Sequence, residues 1–146
     1  MTLLKPEAGL VVSYSYLWHV EHVKGQEEGR KDRPCAIVLV VADGKSARQR
    51  VLLLPVTHSA PTDSDSAVEI PTVVKRRLGL DSQRSWIVLS EWNETLWPSP
   101  DLRRTSRRKA ASIAYGFLPP RFFNHVRERF LAVVRERKAR RVKRAQ

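Results

Sequence analysis

Apolar and polar positions follow two different rhythms along this chain, and the rhythms divide it into elements. Cys35 to Ala42 and Val51 to Val56 are short runs, rich in β-branched residues and bounded by charged or turn residues, so they predict strands. The Asp43-Gly44 pair between them is a hairpin signal, which makes the two strands antiparallel neighbours. Gly9 to Trp18 predicts a first strand, Val68 to Ile70 a short one, Trp86 to Trp92 a later one and Ser112 to Pro119 a last one. Pro71 to Leu80 reads as one or two helical turns, opened by Pro71 and closed by Gly79. From Pro119-Pro120 onward the period changes. Phe123, Val126, Phe130, Val133 and Val134 recur at steps of three and four with Arg and Glu between them, an amphipathic helix. After Glu136 the apolar stripe stops, and residues 139–146 predict a frayed basic tail. Pro98 to Lys109, with two prolines and five basic residues, reads as an exposed loop, and no internal repeat is present.

Short antiparallel strands followed by one packing helix predict a small α+β domain over residues 1–138, an SH3-like antiparallel β-barrel, partly open, with a C-terminal amphipathic helix. The 146 residues suffice for one domain with a sizeable core and not comfortably for two. A composition of 42% hydrophobic and 29% charged residues is that of a globular chain. Charge adds what periodicity does not. The 27 Lys and Arg against 15 Asp and Glu leave +12, and residues 121 to 146, with ten basic side chains against two Glu, hold +8 of it. Such a surface attracts polyanions and predicts salt-sensitive association with nucleic acid; the same excess also serves solubility. Cys35, alone and inside an apolar run, excludes an internal disulfide framework and a Cys-based zinc site and reads as a small buried hydrophobe. The N-terminus lacks the pattern of a signal peptide, and no apolar run is long enough to span a bilayer, so a cytoplasmic protein without a membrane partner is expected.

Three polar clusters fall at the ends of predicted strands. Arg33 precedes Pro34, which biases it toward an extended backbone; Thr57, His58 and Ser59 follow the second apolar strand; Ser90 to Glu94 follow Trp86 to Leu89. Antiparallel pairing of the two apolar strands brings the start of one beside the end of the other, and so Arg33 close to Thr57. A guanidinium and a hydroxyl at one rim suit a phosphodiester, because the guanidinium holds two phosphate oxygens and offsets charge that grows at phosphorus. RNA carries its own nucleophile in the 2′-hydroxyl, leaving orientation, charge stabilisation and proton transfer to the protein. No carboxylate-rich cluster or ligand-spaced His pair points to a two-metal nuclease, so neither metal nor cofactor is expected. His19 and His22, three apart in a predicted loop, lack a third ligand. Each candidate also has an ordinary reading. Arg33 and Asp32 suit a surface ion pair, Thr57 a turn bonded to its own backbone, His58 a loop histidine as readily as a general base. Trp86 reads as core, whereas Trp92 and Trp97 suit either base stacking or core packing.

The blocks "GQEEGRKDRPCAIVLV", "VLLLPVTHSAP" and "WIVLSEWNETLWP", followed by "YGFLP" and an amphipathic helix, resemble the PemK/MazF-like toxins of bacterial toxin–antitoxin pairs from about Gly9 to Val134. The resemblance implies an SH3-like barrel, a homodimer, cleavage of single-stranded RNA without a metal, and inhibition by a cognate antitoxin. Under it Arg33 matches the family's arginine before the proline, Thr57 its hydroxyl residue with Ser59 as a substitute, and Glu28 lies in the loop matching the acidic gate, as a base or a positioning group. His58 joins them as a catalytic candidate. Arg30, Lys31, Trp92, Asn93, Trp97, Arg103 and Arg104 are the expected RNA contacts. The chain departs from the pattern in a longer loop from Gly25 to Arg33, in "SEWNE" around Glu91, in the basic insertion at Pro98 to Lys109 and in the C-terminal tail. Two other readings stay open: a non-catalytic RNA- or DNA-binding barrel, and an interaction module that uses its sheet edge.

Overall fold

The structure is a computed structural model that describes residues 4–26, 29, 31–45, 47–105, 112–136 and 139–144. In chain order its elements are β1 (Leu10–Tyr14), α1 (His19–Val23), β2 (Arg33–Ala42), β3 (Gln49–Thr57), a 3-10 turn (Ser64–Ser66), β4 (Ala67–Glu69), α2 (Thr72–Leu78), β5 (Trp86–Val88), β6 (Glu91–Trp97), β7 (Ala114–Phe117), α3 (Pro120–Arg135) and β8 (Arg140–Lys143). The strands run in the order β4-β5-β3-β2-β1-β7, with β6 on β3 and β8 on β6. All these pairings are antiparallel except the parallel one between β6 and β8.

The apolar run that opens β2 is continuous because both of its faces are buried, a pattern that alternation alone does not produce. Ala36 and Val38 join Val11, Leu54, Ile87 and the helix residues Val74, Leu78, Phe123, Val126 and Phe130 in one core. Cys35 and Ile37 point the other way, into a second core with Leu10, Val12, Tyr14, Tyr16, Leu53 and Trp97. Register sets this division: Cys35 faces Pro55 and Ala36 faces Leu54 across the β2–β3 ladder. Each buried Leu, Ile or Phe on these faces contributes roughly 1.5–3 kcal/mol of transfer free energy. α3 starts where Pro119-Pro120 fixes the backbone, and its buried face is Phe123, Val126, Phe130 and Val133.

Several expectations change. The strands do not close into a barrel: β4 and β7 stand at the two ends of the order, and helices, not a further ladder, cover that side. Leu78 of α2 packs against Gly116 of β7, and α3 lies across the first core. The stretch Trp86 to Trp92 is two strands that pair with different ends of β3, β5 on Val56 and Thr57, β6 on Gln49 to Leu53. His19 and His22 belong to a short helix, and among the described residues no three His, Cys, Asp or Glu side chains are placed to hold a metal ion together.

The largest correction concerns the expected basic tail, of which residues 139–144 are described and 145–146 lie outside the described residues. Arg140 to Lys143 form a strand, and Arg144, nearly sealed from solvent, donates through Nη1 to Asn93 Oδ1 (2.9 Å), Ser15 O (3.0 Å) and the Tyr14 hydroxyl (3.1 Å), while Nη2 lies 3.1 Å from Asp101 Oδ2. Composition misleads here because a basic stretch need not be a solvated one; a guanidinium with several acceptors satisfies its donors inside a protein as well as in water. The exposed-loop expectation fails at Asp101, the carboxylate that meets Arg144, and at Thr105, both buried; residues 106–109 of that loop lie outside the described residues. No described helix is long and apolar enough to cross a membrane.

Candidate active site

A groove of about 630 Å³ opens where the start of β2 meets the end of β3. Arg33, Thr57, His58 and Ser59 line it together with Lys31, Asp81 and Trp18. Continuing the Cys35–Pro55 pairing outward by two residues puts Arg33 opposite Thr57, and the Arg33 Nη1 donates to the Val56 carbonyl beside it at 3.2 Å. The Arg33 guanidinium lies over the Trp18 ring, 4.9 Å from its centroid, and its Nε is buried without a hydrogen-bond partner. Asp32 is not its partner: Asp32 sits 3.7 Å from Arg103. Among the described residues, therefore, the Arg33 charge is held by a ring face and a carbonyl and neutralised by no carboxylate, which leaves it available to an anion.

Local backbone chemistry builds both rims. Gly29 lies so close to the Tyr16 carbonyl that a Cβ there would collide with the backbone, so only glycine lets the loop return to β2. On the opposite rim α2 ends at Gly79, whose left-handed backbone (φ 70°) lets its N–H bond back to the helix. The chain thereby doubles back, Leu80 N–H bonds Lys75 O at 2.9 Å, and Asp81 arrives over Lys75. Asp81 Oδ1 accepts from Gln83 N–H (3.1 Å) and lies 3.7 Å from the buried Lys75 Nζ; Asp81 Oδ2 meets His58 Nε2 at 2.8 Å. The histidine and aspartate side chains are 45% and 52% exposed, so their pairing adds about 1 kcal/mol or less to stability. Thr57 Oγ1 accepts from Ser59 N–H at 3.1 Å, a turn that ties the hydroxyl to the groove wall and leaves its proton free to be donated.

The RNA contacts expected from sequence scatter. Lys31 reaches the groove; Arg103 is engaged with Asp32 and with the carbonyls of Pro100 and Leu102; Arg104 is exposed and does not line the groove. Two are corrected by burial. Asn93 is fully buried and uses its amide to bond both N–H and C=O of Leu17, 3.0 and 2.8 Å away. Trp97 is core, its Nε1 donating to Leu4 O at 2.9 Å. Trp92 is half-buried, and its ring stands at 89° to that of Phe130 with centroids 5.5 Å apart. Glu28 and Arg30 lie outside the described residues. Asp81, Lys75 and Trp18 were not anticipated. An acidic side chain two residues past a helix-closing glycine, in a basic neighbourhood, is the signal that marks Asp81.

Burial also sorts the titratable groups. It pushes the Cys35 thiol well up, which leaves it inert at neutral pH, and lifts the Tyr16 hydroxyl with help from the nearby Glu91. The Glu91 carboxyl is raised by burial too, although Oε1 accepts from His19 N–H (2.9 Å) and the Tyr16 hydroxyl (3.0 Å), both of which favour its charge. None of these three lines the groove. Comparison with models of known protein families and with curated protein sequences finds no match.

Proposed function

We propose that the chain is a metal-independent endoribonuclease toxin of the PemK/MazF kind, which cuts single-stranded RNA and is held inactive by a cognate antitoxin covering the groove. The observation that carries the reading is the meeting of Arg33 and Thr57 at facing ends of two neighbouring strands, on one groove, with the guanidinium unclaimed by any carboxylate among the described residues. In this reading the RNA 2′-hydroxyl attacks phosphorus, the bond to the 5′-oxygen breaks, and the products are a 2′,3′-cyclic phosphate and a 5′-hydroxyl. Arg33 grips the non-bridging oxygens as their charge grows, and Thr57 donates a hydrogen bond that fixes the phosphate between the rims. The nucleophile belongs to the substrate, so no metal-bound water is required. A homodimer would extend the groove and its positive potential. The +12 charge steers RNA to the site without choosing a sequence.

The charge equally favours a second reading, a nucleic-acid-binding module in which Arg33 is a phosphate clamp and nothing is cut. Incubating the purified protein with a long single-stranded RNA in excess EDTA separates the two. The nuclease reading expects discrete fragments ending in 2′,3′-cyclic phosphate, and a loss of roughly 10²–10³ in rate for Arg33→Ala. Intact RNA in every lane, with a salt-dependent gel shift, would overturn it in favour of the clamp.

A further inference from the structure

We propose that His58 is the general base of the cleavage site and that Asp81 and Lys75 are its positioning residues, an inference that rests on the ribonuclease reading above. Three separate elements supply the parts: the end of β3 gives His58, the turn after α2 gives Asp81, and α2 itself gives Lys75. The carboxylate is fixed on both sides. Its Oδ1 takes the Gln83 N–H and faces Lys75 Nζ, and its Oδ2 takes His58 Nε2 at 2.8 Å. A proton on Nε2 is thereby committed to Asp81, and Nδ1 has no partner among the described residues. That leaves one bare ring nitrogen on a histidine that lines the same groove as Arg33 and Thr57.

Lys75 makes a structural account of this pair incomplete. A lysine side chain only 6% exposed has been drawn out of solvent to stand behind a carboxylate that is half exposed. Lysine is among the residues least often buried, and an exposed His–Asp pair contributes too little to stability to explain it. What Lys75 and Gln83 do is hold one carboxylate in one place, and what that carboxylate does is aim one imidazole. The same division between a base and the group that orients it serves nucleophile activation in other hydrolytic sites.

The step balances with the groups present. Nδ1 takes the proton of the 2′-hydroxyl as its oxygen bonds to phosphorus; the bond from phosphorus to the 5′-oxygen breaks, and that oxygen takes a proton from solvent. The imidazolium then returns the proton to water. The other charged or titratable groups that line the groove with the ring are Lys31, Asp32, Arg33 and Tyr115.

The test separates rate from binding. His58→Ala should lower kcat by a hundredfold or more with KM little changed, because the ring acts on the reaction and not on binding. Asp81→Asn should lower kcat at least tenfold, again with KM little changed, because the ring is no longer aimed by a carboxylate. Lys75→Met should lower kcat in the same way, since it removes the cation that holds Asp81 in place, and Lys75→Arg should restore part of the rate. If wild type cuts RNA but His58→Ala cuts as fast, or kcat is unchanged in both neighbours' variants, this proposal falls and the ribonuclease stands. If wild type cuts nothing, the ribonuclease reading falls and carries the general base with it.

Discussion

Two clusters of this molecule are made from the same kinds of side chain, and burial separates what they do. Around Arg144 an arginine, an aspartate, a tyrosine hydroxyl and an amide are packed out of solvent, the Arg144 side chain only 3% exposed. Around Arg33 an arginine, an aspartate, a threonine hydroxyl and a histidine stand on an open groove. In the first cluster every bond offsets a desolvation cost, so it fixes the fold; in the second, water already solvates the groups, so the bonds are cheap to exchange for those of a ligand. Similar chemistry gives a lock at one place and a receptive surface at the other.

The sharpest way to break that comparison is to remove one member from each side. Arg144→Ala leaves Asp101 charged and the Asn93 and Ser15 oxygens short of a donor, and should cost about 3–5 kcal/mol in urea unfolding followed by far-UV circular dichroism. A loss below 1 kcal/mol would show that the end of the chain is not held in this network. Glu91 lies between the extremes, half-buried at the foot of α1, and tests the comparison by pH. Its folded carboxyl is raised by burial above its value in the unfolded chain, so the stability it contributes is full below the unfolded value and lost as pH rises through the folded one. Wild type should therefore lose stability relative to Glu91→Gln as pH climbs through and above the ordinary carboxylate range; parallel curves would deny the shift. Smallest of all, His58→Ala on the open rim should change unfolding free energy by about 1 kcal/mol or less, whatever it does to cleavage. A larger loss would make the rim structural.

How much of this was legible depended on whether the signal was local. The β2–β3 hairpin followed from its two apolar runs and Asp43-Gly44, and α3 from its stripe, so the meeting of Arg33 with Thr57 was readable before any coordinates. Gly79 as a helix stop was readable as well. What was not readable was the destination of polar side chains. Asn93 and Trp97 sit in a segment that looks amphipathic and wet, yet their partners, Leu17 and Leu4, are 76 and 93 residues away. Basic residues suffered most, because charge in a sequence is visible and its acceptors are not. The barrel failed at its edges, where three- and four-residue strands leave closure to helices that only tertiary packing brings there.

The parallel seam of β8 on β6 has a consequence for the order in which the molecule is made. Tyr14 and Arg144 are 130 residues apart, so as the chain is synthesised β1 emerges long before the guanidinium that its hydroxyl and the Ser15 carbonyl will meet. Contacts of such long sequence separation close late and slowly. The hairpin that carries Arg33 and Thr57 is local and can form early; the lock that secures the rest waits for the last strand, and a nascent chain stalled short of it would present the groove on an unfastened body.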